Sequence, residues 1–143
     1  MNGMAEVLKG HCLCGAVTIT ATAHEHSASA CHCSMCRRWT GGPQWGFDAP
    51  DEAVTVIGEV RTYRSTSFSE RAFCPVCGSH LWLRDDGGPY EFVPGIFDGA
   101  RDMPLVREVY ADRAFACAQL SGEHERVTKA EYEADHPFEE GEA

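Results

Sequence analysis

The chain has 143 residues, of which 43% are hydrophobic and 24% are charged, and its formal net charge is −10. This length allows one domain with a substantial core but not two independent ones. The charge disfavours nucleic acid as a partner, because binding to a phosphate backbone depends on an excess of lysine and arginine. We find neither an apolar run of membrane-spanning length nor a secretory signal, so we expect a cytoplasmic protein with no membrane partner.

Short β-strands separated by turns are predicted along most of the chain. Alternating and β-branched residues predict strands at 17–22, 54–57, 60–64, 80–84 and 90–93, and a more ambiguous one at 105–110. Two short helices are expected, one over 34–39 capped by Ser34 and one that follows a capping box of Thr128 and Glu131 and stops at Pro137. The pattern indicates a mainly β fold with few short helices. We expect one domain over residues 1–138 and a disordered acidic tail over 139–143.

Seven of the eight cysteines fall into three tight groups. The groups are Cys12-x-Cys14, Cys31-x-Cys33-x2-Cys36 and Cys74-x2-Cys77, and Cys117 stands alone, where a buried, inert thiol is the default interpretation. A disulfide between such close neighbours would constrain little of the chain, whereas thiolates on one turn can converge on one metal ion. The spacing therefore predicts zinc binding rather than a disulfide framework.

The two outer pairs are expected to form one closed, structural zinc site. The segment CPVCG at residues 74–78 has the form of a zinc knuckle, in which the proline presets one turn dihedral and the glycine permits a positive φ. Together with Cys12 and Cys14 it would supply four thiolates, as closed zinc sites require. Spacing also allows a second partition, in which the pair at 33 and 36 completes the knuckle and the second ion is held by Cys12, Cys14 and Cys31.

Three longer segments follow one another in the chain: GHCLCGAV, ACHCSMCRRWTGG and YRSTSFSERAFCPVCGSHL. In this order they resemble the family of glutathione-dependent formaldehyde-activating enzymes, which includes centromere protein V. The resemblance continues weakly through residues 95–98 and Pro104. It implies a small, zinc-containing β "tent" of stacked antiparallel sheets. It also implies a structural zinc held by Cys12, Cys14, Cys74 and Cys77 and a second zinc, with an exchangeable position, held by Cys31, Cys33 and Cys36.

The activity implied by the resemblance is that of a carbon–sulfur lyase on S-(hydroxymethyl)glutathione, the adduct of glutathione and formaldehyde. A zinc ion with three thiolate ligands and an open position can bind a thiol and lower its pKa. We therefore expect two Zn2+ ions as cofactors and a small thiol or glutathione adduct as partner. The alternative is a non-enzymatic zinc domain for protein interaction or metal handling, in which His32 or Cys117 closes the second site or the triplet holds no metal.

Side chains beside the cysteine triplet are candidates for substrate contact. Arg37 and Arg38 suit bidentate recognition of a carboxylate, although surface arginines are the ordinary interpretation. Trp39 and Trp45 flank a Gly-Gly-Pro turn and are candidates for pocket walls, although core packing is the commoner role of tryptophan. His32, between two proposed ligands, is either a ligand, a general base or a packed side chain.

The late part of the chain departs from the pattern of similar sequences. These tend to carry a histidine after the late proline and a tryptophan farther on, where this chain has Arg107 and residues 115–117. If these positions line the pocket, a substrate other than S-(hydroxymethyl)glutathione is favoured. The resemblance also brings Tyr63, Ser65 and Arg71 near the second metal site, with no role assigned to them.

Overall fold

The computed structural model describes residues 6–137, so the acidic tail predicted at 139–143 lies outside the described residues. Within this range short strands alternate with turns and with two α-helices. The strands, in chain order, are β1 (Leu8–His11), β2 (Thr18–Ala21), β3 (Ala28–Cys31), β4 (Gln44–Ala49), β5 (Val54–Ile57), β6 (Arg61–Arg64), β7 (Ser69–Phe73), β8 (His80–Asp85), β9 (Tyr90–Phe92), β10 (Leu105–Val109) and β11 (Glu125–Val127). The helices are α1 (Ser34–Thr40) and α2 (Lys129–Asp135), and neither is long and apolar enough to cross a membrane.

The strands form two sheets of unequal size. The small sheet has the order β1-β2-β5, and the large sheet has the order β11-β10-β3-β4-β9-β8-β7-β6. The expected mainly β fold with few short helices is confirmed. The expected wholly antiparallel arrangement is wrong in one place, because β10 runs parallel to both β3 and β11. No hairpin joins β10 to β3, so the long connection between them leaves a parallel pairing possible.

The main core lies between the small sheet and the central strands of the large one. Phe47 and Phe92 are fully buried, and their ring centroids lie 5.9 Å apart. Phe97 packs edge-on against both rings, at centroid distances of 5.3 and 5.4 Å. Cys12 and Cys74 belong to the same buried cluster, so one cysteine of each outer pair is part of the core.

All six predicted strands are confirmed, with ends that differ by one residue at most. Both helices are confirmed as well, and the capping box of Thr128 and Glu131 is present at the start of α2. The cap of α1 was predicted wrongly, because Cys33 rather than Ser34 precedes the helix and accepts a hydrogen bond from the N–H of Cys36. The sulfur at this position thus serves both the helix and the cysteine triplet.

Candidate metal centres and active site

The four-cysteine cluster joins two segments that are far apart in the chain. The Cys14 and Cys74 sulfurs lie 3.8 Å apart although 60 positions separate the residues. The four sulfurs, which all lie within 4.8 Å of one another, belong to Cys12, Cys14, Cys74 and Cys77. Backbone N–H groups of Val17 and Val76 donate to the Cys12 and Cys74 sulfurs at 3.3 and 3.4 Å. Such bonds stabilise thiolates, which are the form that zinc binds.

The turn that carries the second pair has the predicted knuckle geometry. Gly78 has a φ of 79°, and its N–H donates to the Cys74 carbonyl at 2.8 Å. The Ser79 hydroxyl lies 3.1 Å from the Cys77 sulfur and lowers the pKa of Cys77 to about 5. The structure groups the cysteines as in the first of the two partitions, and binding of zinc to them stays a prediction.

The three-cysteine cluster is built from one short local segment. Cys31 ends β3, Cys33 caps α1, and Cys36 lies in the first turn of that helix. Their sulfurs lie within 4.8 Å of one another, and all three line a cavity of about 390 Å³. No other histidine, cysteine or carboxylate within residues 6–137 joins this group.

The three sulfurs of this cluster are suited to binding a cation. Side-chain hydrogen bonds from Cys31 and Cys36 lower the pKa of Cys33, while the pKa of Cys31 is raised by its bond to Cys33. Hydrogen bonding and repulsion among the three sulfurs therefore oppose their joint ionisation. A divalent metal removes this restriction, because it stabilises several thiolates at once.

Neither of the two residues considered for closing the second site lies in this cluster. The His32 Nε2 atom lies 2.6 Å from the Glu108 carboxylate, whose other oxygen lies 2.8 Å from Nε2 of His124. His32 and Glu108 are each 3% exposed, so the histidine is a packed, paired side chain. Cys117 is exposed, which also contradicts the expected buried thiol. The structure thus provides no support for a fourth protein ligand among the residues that it describes.

Arg71 is the cation in closest contact with the three-cysteine cluster. Its two terminal nitrogens lie 3.6 and 3.7 Å from the Cys36 sulfur, and one of them donates to Oε1 of Gln44 at 2.7 Å. The side chain is 3% exposed and lines the cavity. A buried guanidinium beside thiolates offsets part of their charge.

The candidate substrate contacts Arg37, Arg38 and Trp39 do not line this cavity. The Arg37 guanidinium lies 4.7 Å from the centroid of the Phe115 ring, and Arg38 is exposed. Trp39 stacks on Tyr63, at a centroid distance of 6.1 Å, and lines a separate groove. Contact of these three residues with substrate stays a prediction, and their positions do not favour it.

Two residues that the sequence singled out for other reasons do line the cavity. Trp45, a predicted pocket wall, is one of them. Arg107, which replaces the histidine of similar sequences, is the other, and it lies 3.3 Å from the Glu125 carboxylate. Phe115 and Cys117, at the second point of departure, do not line it. The chemical difference at position 107 therefore falls in the cavity wall.

The wall also contains carboxyl groups that the sequence did not reveal. Asp48, Asp85 and Glu91 line the cavity, on β4, β8 and β9. Burial raises the pKa of all three, and for Glu91 burial together with the charges of the two aspartates raises the pKa to about 7. Asp48 and Glu91 stand between hydrophobic residues of short strands, and Asp85 ends β8 beside Asp86, so each has the sequence context of an ordinary solvent-facing position.

With this geometry known, comparison with other proteins identifies the family. A family model described as glutathione-dependent formaldehyde-activating enzyme matches residues 7–113. The chain belongs to this family. The glutathione-dependent formaldehyde-activating family model ends before α2, whose Tyr132 also lines the cavity.

Individual relatives agree with this assignment. An uncharacterized lyase of Schizosaccharomyces pombe is 31% identical over 123 residues, which cover 84% of this chain and 90% of that protein. A protein of Halomonas elongata named "Putative glutathione-dependent formaldehyde-activating enzyme" is 32% identical over 111 residues, which cover 71% of this chain and 69% of that protein. A crystal structure of a Rhodobacter sphaeroides protein has a TM-score of 0.52 at 25% identity, covering 68% of this chain and 99% of the other. The last comparison supports the shared fold.

Proposed function

We propose that this family member is a carbon–sulfur lyase for a small thiol–aldehyde adduct such as S-(hydroxymethyl)glutathione. The observation that carries the proposal is the set of three cysteine sulfurs that line one cavity with no fourth protein ligand among the described residues. The relatives named as a lyase and as a glutathione-dependent enzyme support the reaction class. We assign the activity to one domain over residues 1–138.

The proposed cofactors are two Zn2+ ions, held by the four-cysteine cluster and by Cys31, Cys33 and Cys36. Zinc fits both donor sets, because structural sites use four thiolates and catalytic sites use three protein ligands with one open position. When bound at the triplet, zinc would supply the affinity for a substrate thiol and favour its thiolate form at neutral pH. None of the eight cysteines forms a disulfide, in keeping with the proposed cytoplasmic location.

The residues of the cavity have separate tasks in this proposal. The Arg71 guanidinium, beside the Cys36 sulfur, offsets the negative charge that a substrate thiolate adds to the site. Arg107 lies in the wall, where it can meet a carboxylate of the substrate. Because it stands where similar sequences have a histidine, it favours an adduct other than S-(hydroxymethyl)glutathione itself. The aldehyde product leaves when the carbon–sulfur bond breaks and its electron pair returns to sulfur.

The test uses zinc-loaded protein with glutathione and formaldehyde and follows adduct formation against the uncatalysed rate. We expect acceleration by the wild type and none by Cys33→Ser, which removes a ligand of the triplet. Cys117→Ser is the matched control, because this exposed cysteine belongs to neither cluster. It should keep both the rate and the zinc content. Absence of acceleration with glutathione and with a panel of smaller thiols would refute the proposed activity.

A further inference from the structure

One face of β4 forms a strip of the cavity wall that runs from the cysteines to the carboxyl groups. Gln44, Gly46 and Asp48 alternate along this strand and all line the cavity. Gln44 is the register partner of Cys31, and Asp48 is the register partner of Glu91. The strip therefore has the metal-binding triplet at one end and a pair of carboxyl side chains at the other.

The Glu91 side chain lies beside Gly46, in the middle of this strip. A Cβ atom built on Gly46 would lie 3.8 Å from the Glu91 Cβ and 3.9 Å from its Oε1, so the carboxyl group lies in van der Waals range of this position. Gly46 and Gln44 are two positions apart, which corresponds to roughly 7 Å along a strand. A carboxyl group at this distance from the cysteine end leaves space between them for a small substrate.

The surroundings of Glu91 do not explain it as a structural residue. Among residues 6–137 no group donates a hydrogen bond to its carboxyl oxygens, and the half-buried side chain lines the cavity. A half-buried carboxyl group with no donor from the protein is available to a ligand in the cavity, and carboxyl groups with a shifted pKa are frequent at functional sites. The charged and titratable groups that face it are Asp48 from β4, Asp85 from β8, Arg71 from β7 and Tyr132 from α2.

These neighbours set the protonation of Glu91. Burial and the negative charges of Asp48 and Asp85 raise the pKa of Glu91 to about 7, against the lowering effect of Arg71. Near neutral pH the group is therefore present in both its acid and its carboxylate forms. A residue with this property transfers protons efficiently in both directions of a reversible reaction.

We propose that Glu91 transfers the proton to and from the oxygen of the substrate aldehyde, an inference that rests on the proposed function. In adduct formation the thiolate electron pair forms the carbon–sulfur bond, the π pair of the carbonyl moves to oxygen, and the Glu91 carboxyl group gives its proton to that oxygen. The resulting carboxylate regains a proton from water. In the lyase direction the carboxylate removes the hydroxyl proton while the carbon–sulfur bond breaks.

The decisive variant is Glu91→Gln, which keeps the shape of the side chain and cannot exchange a proton at neutral pH. We expect unchanged zinc content and unchanged thiol binding by calorimetry, and a kcat lower by roughly 100-fold or more. In the wild type, the rate of adduct formation should fall as the pH rises through about 7, because Glu91 loses the proton that it donates. This pH-dependent component of the rate should be absent from the variant. Glu52→Gln, an exposed carboxylate in the turn before β5, is the control and should leave kcat and the pH profile unchanged.

A second variant distinguishes proton transfer from a purely structural role. Asp48→Asn removes a negative charge beside Glu91, so the pKa of Glu91 falls and the pH-dependent component moves to lower pH. A structural role would not move the profile. In addition, infrared difference spectra of the substrate-free protein should show a protonated carboxyl band that disappears above neutral pH and is missing in Glu91→Gln.

The outcomes separate this inference from the proposed function. If the wild type accelerates no reaction of a thiol with an aldehyde, the proposed function fails, and the role of Glu91 fails with it. If the wild type is active and Glu91→Gln retains its kcat, only the role of Glu91 is refuted. Loss of kcat together with the loss of the infrared band in Glu91→Gln supports both.

Discussion

The two cysteine clusters use the same donor atom in opposite structural settings. The four-cysteine cluster brings together residues 60 positions apart, and two of its members belong to the main hydrophobic core. The three-cysteine cluster comes from six consecutive positions, at the end of β3 and the start of α1, and it lines a cavity. The first cluster connects distant parts of the fold, whereas the second is carried by a loop that the fold has already placed.

This difference shows that the topology around a cysteine cluster indicates its role better than the cysteines do. A metal that closes a long loop contributes its binding free energy to folding, because the unfolded chain cannot form the site. A metal held by one local turn contributes much less to folding, and its open position is available to a ligand. The predictions below test this division, beginning with the largest effect.

The largest effect is expected from a cysteine in the four-cysteine cluster. Cys74→Ser removes one of the four donors of the proposed structural zinc, so the free energy of unfolding should fall by more than about 4 kcal/mol. Cys33→Ser should lose one zinc ion and all activity, yet still unfold in one cooperative transition. Thermal unfolding by circular dichroism and the zinc content of each purified variant are the measurements.

A matched pair of results makes this comparison decisive. If Cys33→Ser unfolds as readily as Cys74→Ser, the three-cysteine cluster also holds the fold together and the division between the clusters is wrong. If Cys74→Ser keeps its cooperative transition, the four-cysteine cluster is not structural.

The second prediction concerns the support behind the three-cysteine loop. Glu108 lies 2.6 Å from His32 and 2.8 Å from His124, and all three side chains are buried. Leaving a buried hydrogen-bonding group without its partner costs about 1–3 kcal/mol. Glu108→Gln should therefore lower the free energy of unfolding by about this amount and weaken zinc binding at the triplet, since His32 lies between two of the ligands. The four-cysteine zinc should be retained.

An exposed histidine–carboxylate pair serves as the control. The His26 Nε2 atom lies 2.7 Å from the Asp102 carboxylate, whose side chain is 78% exposed. Asp102→Asn should change the free energy of unfolding by less than about 1 kcal/mol, because solvent screens exposed ion pairs. Equal losses in urea unfolding of the two variants would mean that the buried network does not support the loop.

Much of the fold could be predicted from local sequence, because strands such as β2 and β5 consist of β-branched and alternating residues. The strands β3 and β4, with the sequences ASAC and QWGFDA, were not predicted. Their small and polar residues have weak β propensity, and they form strands because neighbouring strands pair with them on both sides.

Prediction of the candidate site from local sequence has the same limit. Close spacing revealed all seven clustered cysteines, since donors on one turn meet without help from the rest of the chain. The contacts of Arg71 with Cys36, of Glu108 with His32 and of Glu91 with Asp48 each join residues from separate segments of the chain. No local pattern encodes such pairs. The resemblance placed Arg71 near the second site, but its contact with Cys36 and the presence of Glu91 in the cavity wall became visible only in the folded structure.

The smallest predicted effect tests whether Arg71 or Arg38 contributes to substrate binding in the cavity. Arg71 contacts the Cys36 sulfur and is buried, whereas Arg38, a contact predicted from sequence, is exposed and donates to the Ser34 carbonyl at 3.3 Å. A cation beside the triplet attracts an anionic thiolate and repels a metal ion. Arg71→Gln should therefore raise KM for glutathione about tenfold while the zinc content is kept, as expected for loss of one charge-assisted contact. Arg38→Gln should change neither quantity, and an equal rise in KM for both variants would restore Arg38 as a substrate contact.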